Sequence, residues 1–188
     1  MPEEKELIER AQKGDGQALA ALYQENATRV YRYVFIRVHD QSEAEDLTQQ
    51  VFLKMLGSIK SFRWSGAPFG AWLMRIAHNE VIDHYRRLNK ARTVSLDEKI
   101  GTPELDPKED DPSEIAETNV ELGRMMAAVE KLPAAQKEVI SLRFTSGLSI
   151  AEVAGILGKS EGTVKALQFN GVQSLRRLLY GDLNAAKA

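Results

Sequence analysis

In ALAALYQENATRVYRYVFIRV, apolar residues fall at Leu19, Leu22, Tyr23, Val30, Val34 and Val38. These mixed three- and four-residue steps trace one face of a helix. Asp15, just upstream, is placed to cap its start. The next stretch, SEAEDLTQQVFLKMLGSI, opens with Ser42 and Glu45 at the spacing of a capping box. Leu47, Val51, Phe52, Met55 and Ile59 then form an apolar stripe, and Asp46, Gln49, Gln50 and Lys54 lie opposite. In KSFRWSGAPFG the glycines and the proline interrupt helix. A third long helix is predicted over AWLMRIAHNEVIDHYRRL, anchored by Trp72, Ile76, Val81 and Tyr85. Arg75, Asn79, Asp83 and Arg86 follow one another at four-, four- and three-residue steps, so they share one face of it.

The C-terminal third repeats the helical period with shorter units. LGRMMAAVEKLP, AAQKEVISLRFTSGLS and SIAEVAGILGKSEGTVKALQ predict four helices joined by tight corners. Pro133 suits a first helical turn and Gly147 a helix end. Ser149 and Glu152 again have capping-box spacing. Neither half shows a useful length of strand-like alternation, and no solenoid period is present. Between the halves, TPELDPKEDDPSE holds three of the six prolines and almost no aliphatic side chains, which reads as a solvated linker. The expected fold is all-α: two small helical domains, 10–92 and 120–182, joined by an acidic linker, 93–119.

Within the second domain, Ala154, Gly158 and Val164 stand at offsets of zero, four and ten. They meet the three needs of a helix-turn-helix: a small residue at the crossing, a residue tolerating positive φ at the corner, and an apolar anchor on the second helix. Ser160 can cap that second helix and leave its first amides facing a phosphate. Val164, Leu167 and Leu175 are expected to turn inward. Lys165, Gln168, Phe169 and Asn170 are expected outside, where amides and a lysine suit a major-groove reader. The same pattern also fits a purely structural helical hairpin.

Charge refines this picture. The chain has 188 residues and a net charge of −2, which by itself does not suggest nucleic acid. The distribution is uneven. Residues 91–120 hold nine acids and three bases, so the remainder is basic; between Lys60 and Arg92 seven bases face two acids. A basic stripe beside an acidic linker fits a nucleic-acid binder, and a solvated helix face fits it as well. Cysteine is absent, which excludes disulfides and thiolate metal sites. His39, His78 and His84 are scattered and are read as surface residues. No apolar run approaches the length of a membrane span. The acidic N-terminal MPEEKELIER has no signal-peptide core. A cytoplasmic location follows as the expectation, with no cofactor and no membrane insertion.

Three ordered stretches resemble the sigma-70 family of RNA polymerase sigma factors, in its small two-domain extracytoplasmic-function type. SEAEDLTQQVFLKM is similar to the stretch that docks on the polymerase clamp coiled coil. SFRWSGAPFGAWLMRIAHNEVIDHYRR is similar to the promoter −10 segment. LPAAQKEVISLRFTSGLSIAEVAGILGKSEGTVKALQFNGVQSLRRLL resembles the −35-reading domain. The resemblance implies that Asp46, Gln49, Gln50 and Lys54 face the polymerase clamp. It implies that Phe62 and the loop through Phe69 hold an extruded base of the melted −10 strand. Trp72 and Arg75 would lie at the melting junction, Asn79 at a base-recognition position, and Arg86 and Arg87 at phosphates upstream. Thr163 and Lys165 would open the −35-reading helix, with Phe169 and Asn170 one turn on. Arg176 and Arg177 are open to either phosphate contact or simple solvation.

The residue chemistry is compatible with those roles. Capturing an unstacked base takes aromatic or apolar walls with cations nearby. Phe62, Trp64, Phe69 and Trp72, with Arg63 and Arg75, supply such a set; core packing is the competing use of the same aromatics. The partners implied are core RNA polymerase, promoter DNA and an anti-sigma factor, with no small-molecule substrate. A sigma-like mimic or a separate transcription regulator remains open, although Arg75, Arg86 and Arg87 weigh against a mimic. An enzyme is not expected: no glycine-rich phosphate loop, metal cluster or nucleophile–base set is present, and Asp83 and His84, adjacent on a helix, point apart.

Overall fold

The computed structural model describes residues 2–64, 68–94 and 115–185. Among them are eight α-helices and no strand: α1 (Pro2–Gln12), α2 (Gly16–Val38), α3 (Gln41–Ser58), α4 (Phe69–Val94), α5 (Ile115–Glu130), α6 (Ala134–Ser146), α7 (Ile150–Leu157) and α8 (Glu161–Ala185). A short 3₁₀ turn, Ile59–Ser61, follows α3.

Local chemistry sets most of the boundaries. Asp15 caps α2 by accepting the amides of Gln17 and Ala18. The Arg10 guanidinium, bonded to the same carboxylate, holds it below the usual carboxylate range. Gly147 and Gly158 close α6 and α7 in the left-handed conformation, at φ 64° and 63°. Ser149 and Glu152 form the full capping box at the start of α7. The predicted box at Ser42 is not the one used. Helix α3 starts earlier, at Gln41, and Asp40 caps it by accepting the Glu43 amide; Glu45 is left to accept from the Gln41 side chain. Asp at the N-cap supplies a charged acceptor to a donor-rich helix end, so it displaces the serine two positions on. Helix α4 runs to Val94 and α5 begins at Ile115, so helix extends into both ends of the stretch expected as linker. Its middle, 95–114, with the three prolines and most of the acids, lies outside the described residues.

The first half packs α1 to α4 around Leu22, Val30, Tyr33, Val34, Val51, Met55, Leu73, Met74 and Val81, all essentially buried. Leu47, Val51, Phe52, Met55 and Ile59, the predicted stripe of α3, are every one inside. Each such side chain contributes roughly 1.5–3 kcal/mol of apolar burial. The second half is less self-sufficient. Its residues Val139, Leu142, Leu148, Val153, Ala154 and Val164 belong to the same continuous cluster as the core of the first half. Ile36 of α2 also packs against Val129, Leu132 and Ile140. The two expected domains therefore share one hydrophobic interior, with α6 lying along α2 and α7 against α4. A half of about seventy residues buries too little surface alone, and closing onto its neighbour offsets that.

Candidate nucleic-acid and polymerase interfaces

The outer face of α3 is polar with an apolar centre. Asp46, Gln49 and Gln50 are exposed, as the sequence predicts. Leu53, 66% exposed, and Leu56 stand one turn further along. Two exposed leucines thus stand beside an acid and two amides on one face of α3. The sequence reading missed them because they fall outside the inward stripe yet carry no polar signal. Lys54 is engaged elsewhere: its ammonium bonds the Glu80 carboxylate of α4, and Glu80 is almost wholly buried. Its first duty is to neutralise a carboxylate inside the fold.

Helix α4 presents a cationic face. Arg75, Asn79, Arg86 and Arg87 are exposed, and Asp83 lies half-buried among them, 3.2 Å from Arg86. Asp83 and the adjacent His84 do point apart, because His84 turns to Glu43 of α3, 3.2 Å away. At the start of the helix, Phe62, Phe69 and Trp72 pack on one another with ring centroids 5.0–5.7 Å apart. Phe69 is 1% exposed and belongs to the core, so its ring lies beneath the surface rather than on it. It is the first residue of α4, and its neighbour rings close over it. Phe62 is likewise buried. Trp64 is 39% exposed and Arg63 is exposed, so these two carry the free surface. Residues 65–67 of the same loop lie outside the described residues.

Helix α1 braces this corner. Gln12 donates its side-chain amide to the carbonyls of Ile59, at 3.0 Å, and Phe62, at 2.9 Å. Glu4 accepts the Phe69 amide at 3.1 Å and so caps α4 from a distance. No local pattern announces a cap supplied 65 residues away, and sequence reasoning missed both residues.

The second half closes over the same corner. A cavity of about 500 Å³ is walled on one side by Phe62, Arg63, Trp72 and Arg75, and on the other by Ala151, Glu152, Gly155 and Ile156 of α7. Arg75 Nη2 donates to the carbonyl of Gly155 at 2.9 Å. At the far end of the contact, His39 Nε2 and Glu130 Oε2 are 2.8 Å apart, and Lys137 reaches the same carboxylate oxygen at 2.8 Å. Burial alone would raise the Glu130 carboxyl; the hydrogen bonds from Lys137 and His39 outweigh it and hold the group below its ordinary value.

His78 overturns its reading as a surface residue. It is buried, its Nδ1 lies 3.0 Å from the Tyr33 hydroxyl, and burial, helped by the Arg37 charge, drives its pKa down to about 4. Its place between the small inward residues Ala77 and Val81 turns the ring toward α2. Burial pushes the Tyr33 hydroxyl up in turn.

The helix-turn-helix is built as its spacing predicts. Val164 is fully buried, Ala154 nearly so, and Gly158 makes the corner. Ser160 accepts the Thr163 amide at 3.1 Å and lies 2.9 Å from the Thr163 hydroxyl, so both side chains serve the start of α8. Lys165 is exposed, 3.8 Å from Glu161. Phe169, 64% exposed, and Asn170 also lie outside. Gln168 does not. It shares the inner stripe of α8 with Val164, Gly171 and Leu175, and its Oε1 accepts from Arg143 Nε of α6 at 2.9 Å. The expectation of an outward Gln168 fails because positions 164, 168, 171 and 175 recur at the helical period and face α6 together. Leu167 is only half-buried.

Residues 22–91 match the family model described as Sigma-70 region 2, and residues 128–177 match Sigma-70, region 4. The ECF RNA polymerase sigma factor BldN of Streptomyces coelicolor is 40% identical over 177 residues, covering 94% of this chain; the chain spans 66% of that protein's length. The ECF RNA polymerase sigma factor SigL of Mycobacterium tuberculosis is 30% identical over 174 residues, covering 92% of this chain and 94% of that protein. Among solved structures, CnrH in complex with the cytosolic domain of CnrY superposes with a TM-score of 0.72 at 23% identity, covering 95% of this chain and 98% of the other. The sigma factor RpoE of Bartonella quintana, in complex with the anti-sigma factor NepR, superposes at 0.68 and 24%, covering 85% and 95%. These two likenesses establish the all-helical fold.

Proposed function

The chain belongs to the sigma-70 family of RNA polymerase sigma factors, in its extracytoplasmic-function type, and from that premise we infer how its surfaces divide the work of starting transcription. It is a promoter-specificity subunit without catalysis of its own. The observation that carries this reading is the pairing, in one chain, of an exposed cationic face on α4 with an exposed helix-turn-helix reader on α8.

The outer face of α3, with Asp46, Gln49, Gln50, Leu53 and Leu56, docks on core polymerase. Lys54 supports that face through Glu80. Arg63, Trp64, Trp72 and Arg75 receive the melted −10 strand, with Phe62 and Phe69 as the packed floor beneath them. Asn79 offers an amide to a base, and Arg86 and Arg87 meet phosphates. In the second half Ser160 and Thr163 present the amides of the α8 N-terminus to phosphate, and Lys165, Phe169 and Asn170 enter the −35 groove.

The closed packing has a mechanistic consequence. Arg75 cannot meet a DNA strand while it donates to Gly155, and α7 roofs the cavity where an extruded base would enter. The halves separate when core polymerase and promoter bind. An anti-sigma protein is the natural agent to hold the free subunit back, and the proposed location of the whole exchange is the cytoplasm. Among the described residues no helix is long and apolar enough to cross a membrane.

Size-exclusion chromatography with core RNA polymerase tests the docking assignment. The chain is expected to co-elute with core, and Leu53→Asp to abolish co-elution while leaving the melting temperature within a degree or two, since Leu53 is exposed. Undiminished co-elution of a folded Leu53→Asp protein would move the docking face elsewhere.

A further inference from the structure

Gln168 and Phe169 are adjacent in sequence and opposite in use. An arginine side chain has donors only, so its bond to Gln168 fixes the amide oxygen inward, toward Arg143 Nε at 2.9 Å. The same guanidinium donates to the carbonyl of Leu148, at the corner before α7. Gly171 holds the next turn: a Cβ there would meet Ile140 Cγ1 at 2.8 Å. Helix α8 is thus seated on α6 at two successive turns, and its rotation about its own axis is fixed. Gln168 lacks the free oxygen that a two-point adenine contact requires, since that contact pairs an amide acceptor with the N6 amino group and an amide donor with N7.

Lys165, Ala166, Phe169 and Val172 are exposed near the start of α8, beside the polar Thr163 and Asn170. Two of them are large apolar side chains kept in water. Lys165 before them and Arg176 and Arg177 after outnumber the exposed Glu161, so the face is net positive, complementary to DNA. None of the first four helices packs extensively on α8, so this face is open even in the closed arrangement.

We propose that the −35 element is read through thymine methyl groups packed on Phe169, flanked by Ala166 and Val172, and that Arg143 acts as a positioning residue that withdraws Gln168 from the groove and sets the helix rotation. In the major groove only thymine offers a methyl group, and apolar side chains are its complement. Lys165 supplies attraction to phosphate, and Phe169 supplies discrimination. The inference rests on the reading of α8 as the −35 helix.

The test uses the full chain with core polymerase on a promoter that it transcribes. Each −35 thymine, on either strand, is replaced singly by deoxyuridine, which removes only the methyl group. Wild-type holoenzyme is expected to lose about four-fold in half-saturation at one or two positions, the worth of one buried methylene-sized group. Phe169→Ala is expected to bind the thymine promoter more weakly and to become indifferent to thymine or uracil there. Gln168→Ala is expected to keep the wild-type base preference, and Arg143→Met to admit adenine and shift the preferred spacing between the two promoter elements. Indifference of the wild type to uracil at every −35 position would overturn the proposal, as would a changed base preference in Gln168→Ala. Absence of any transcription by folded wild-type protein would instead overturn the function from which the proposal starts.

Discussion

Arg75 and Gly155 are eighty residues apart in sequence, and the guanidinium of one donates to the carbonyl of the other at 2.9 Å. The bond joins a side chain expected at the melting junction to the helix that leads into the −35 reader. The DNA contact proposed for Arg75 and this closing hydrogen bond exclude each other.

Opening can be read directly. The chain has no cysteine, so dyes placed at Gln24→Cys on α2 and Tyr180→Cys on α8 label only those sites. Energy transfer between them is expected to be high in the free protein and to fall when core polymerase and promoter are added. Unchanged transfer in a transcribing complex would show that the halves stay packed.

Lys54 and Glu80 give a stability prediction. Glu80 is almost fully buried, and the Lys54 ammonium is its cation. Lys54→Ala leaves a carboxylate in the interior without its partner, which costs about 2 kcal/mol, or roughly 4–8 °C in melting temperature for a chain of this size. Lys54→Ala combined with Glu80→Gln should recover part of that loss. Calorimetry of the two proteins measures it.

His78 gives a pH dependence. Burial holds its folded-state pKa at about 4, below the ordinary histidine value of 6.5. The unfolded chain therefore takes up the proton first, and stability falls as pH drops from about 6.5 toward 4. At pH 5 the loss is about 2 kcal/mol, at 1.36 kcal/mol per unit. Above pH 7 this contribution is constant. Denaturant midpoints between pH 7 and 5 should fall for the wild type and fall less for His78→Gln. Parallel curves for the two would assign the pH dependence to other groups.

Gly171→Ala tests the seat of the reading helix. The new Cβ would press on Ile140, at 2.8 Å and 3.0 Å from its Cγ1 and Cδ1. Overpacking costs about 1–3 kcal/mol, against a gain of at most about 1 kcal/mol in helix propensity. A melting temperature a few degrees below wild type is expected; a rise would mean that α8 shifts freely on α6.

The helices, the helix-turn-helix and most of its caps were legible because they rest on local rules: period, spacing and turn chemistry. Leu47, Val51, Phe52, Met55 and Ile59 lie inside because one face of α3 carries them all. What escaped was long-range. Glu4 caps α4 from another helix, Lys54 pairs with the buried Glu80 while itself staying exposed, and Phe69 lies in the core against Phe62 and Trp72. Gln168 was misplaced because a polar residue on an inner stripe makes sense only when its partner, Arg143, is known. His78 was misread for the same reason, its partner Tyr33 being forty-five residues away. The closed packing of the halves has no local sequence signature, since Ile36 or Val139 would look the same in separate domains.

The most direct test of the central claim is run-off transcription with core RNA polymerase on a pool of genomic promoter fragments, with and without this protein. Discrete new start sites are predicted, and they should disappear with Asn79→Ala or Lys165→Ala at unchanged folding. A folded protein that binds no core polymerase and yields no transcript would contradict the account.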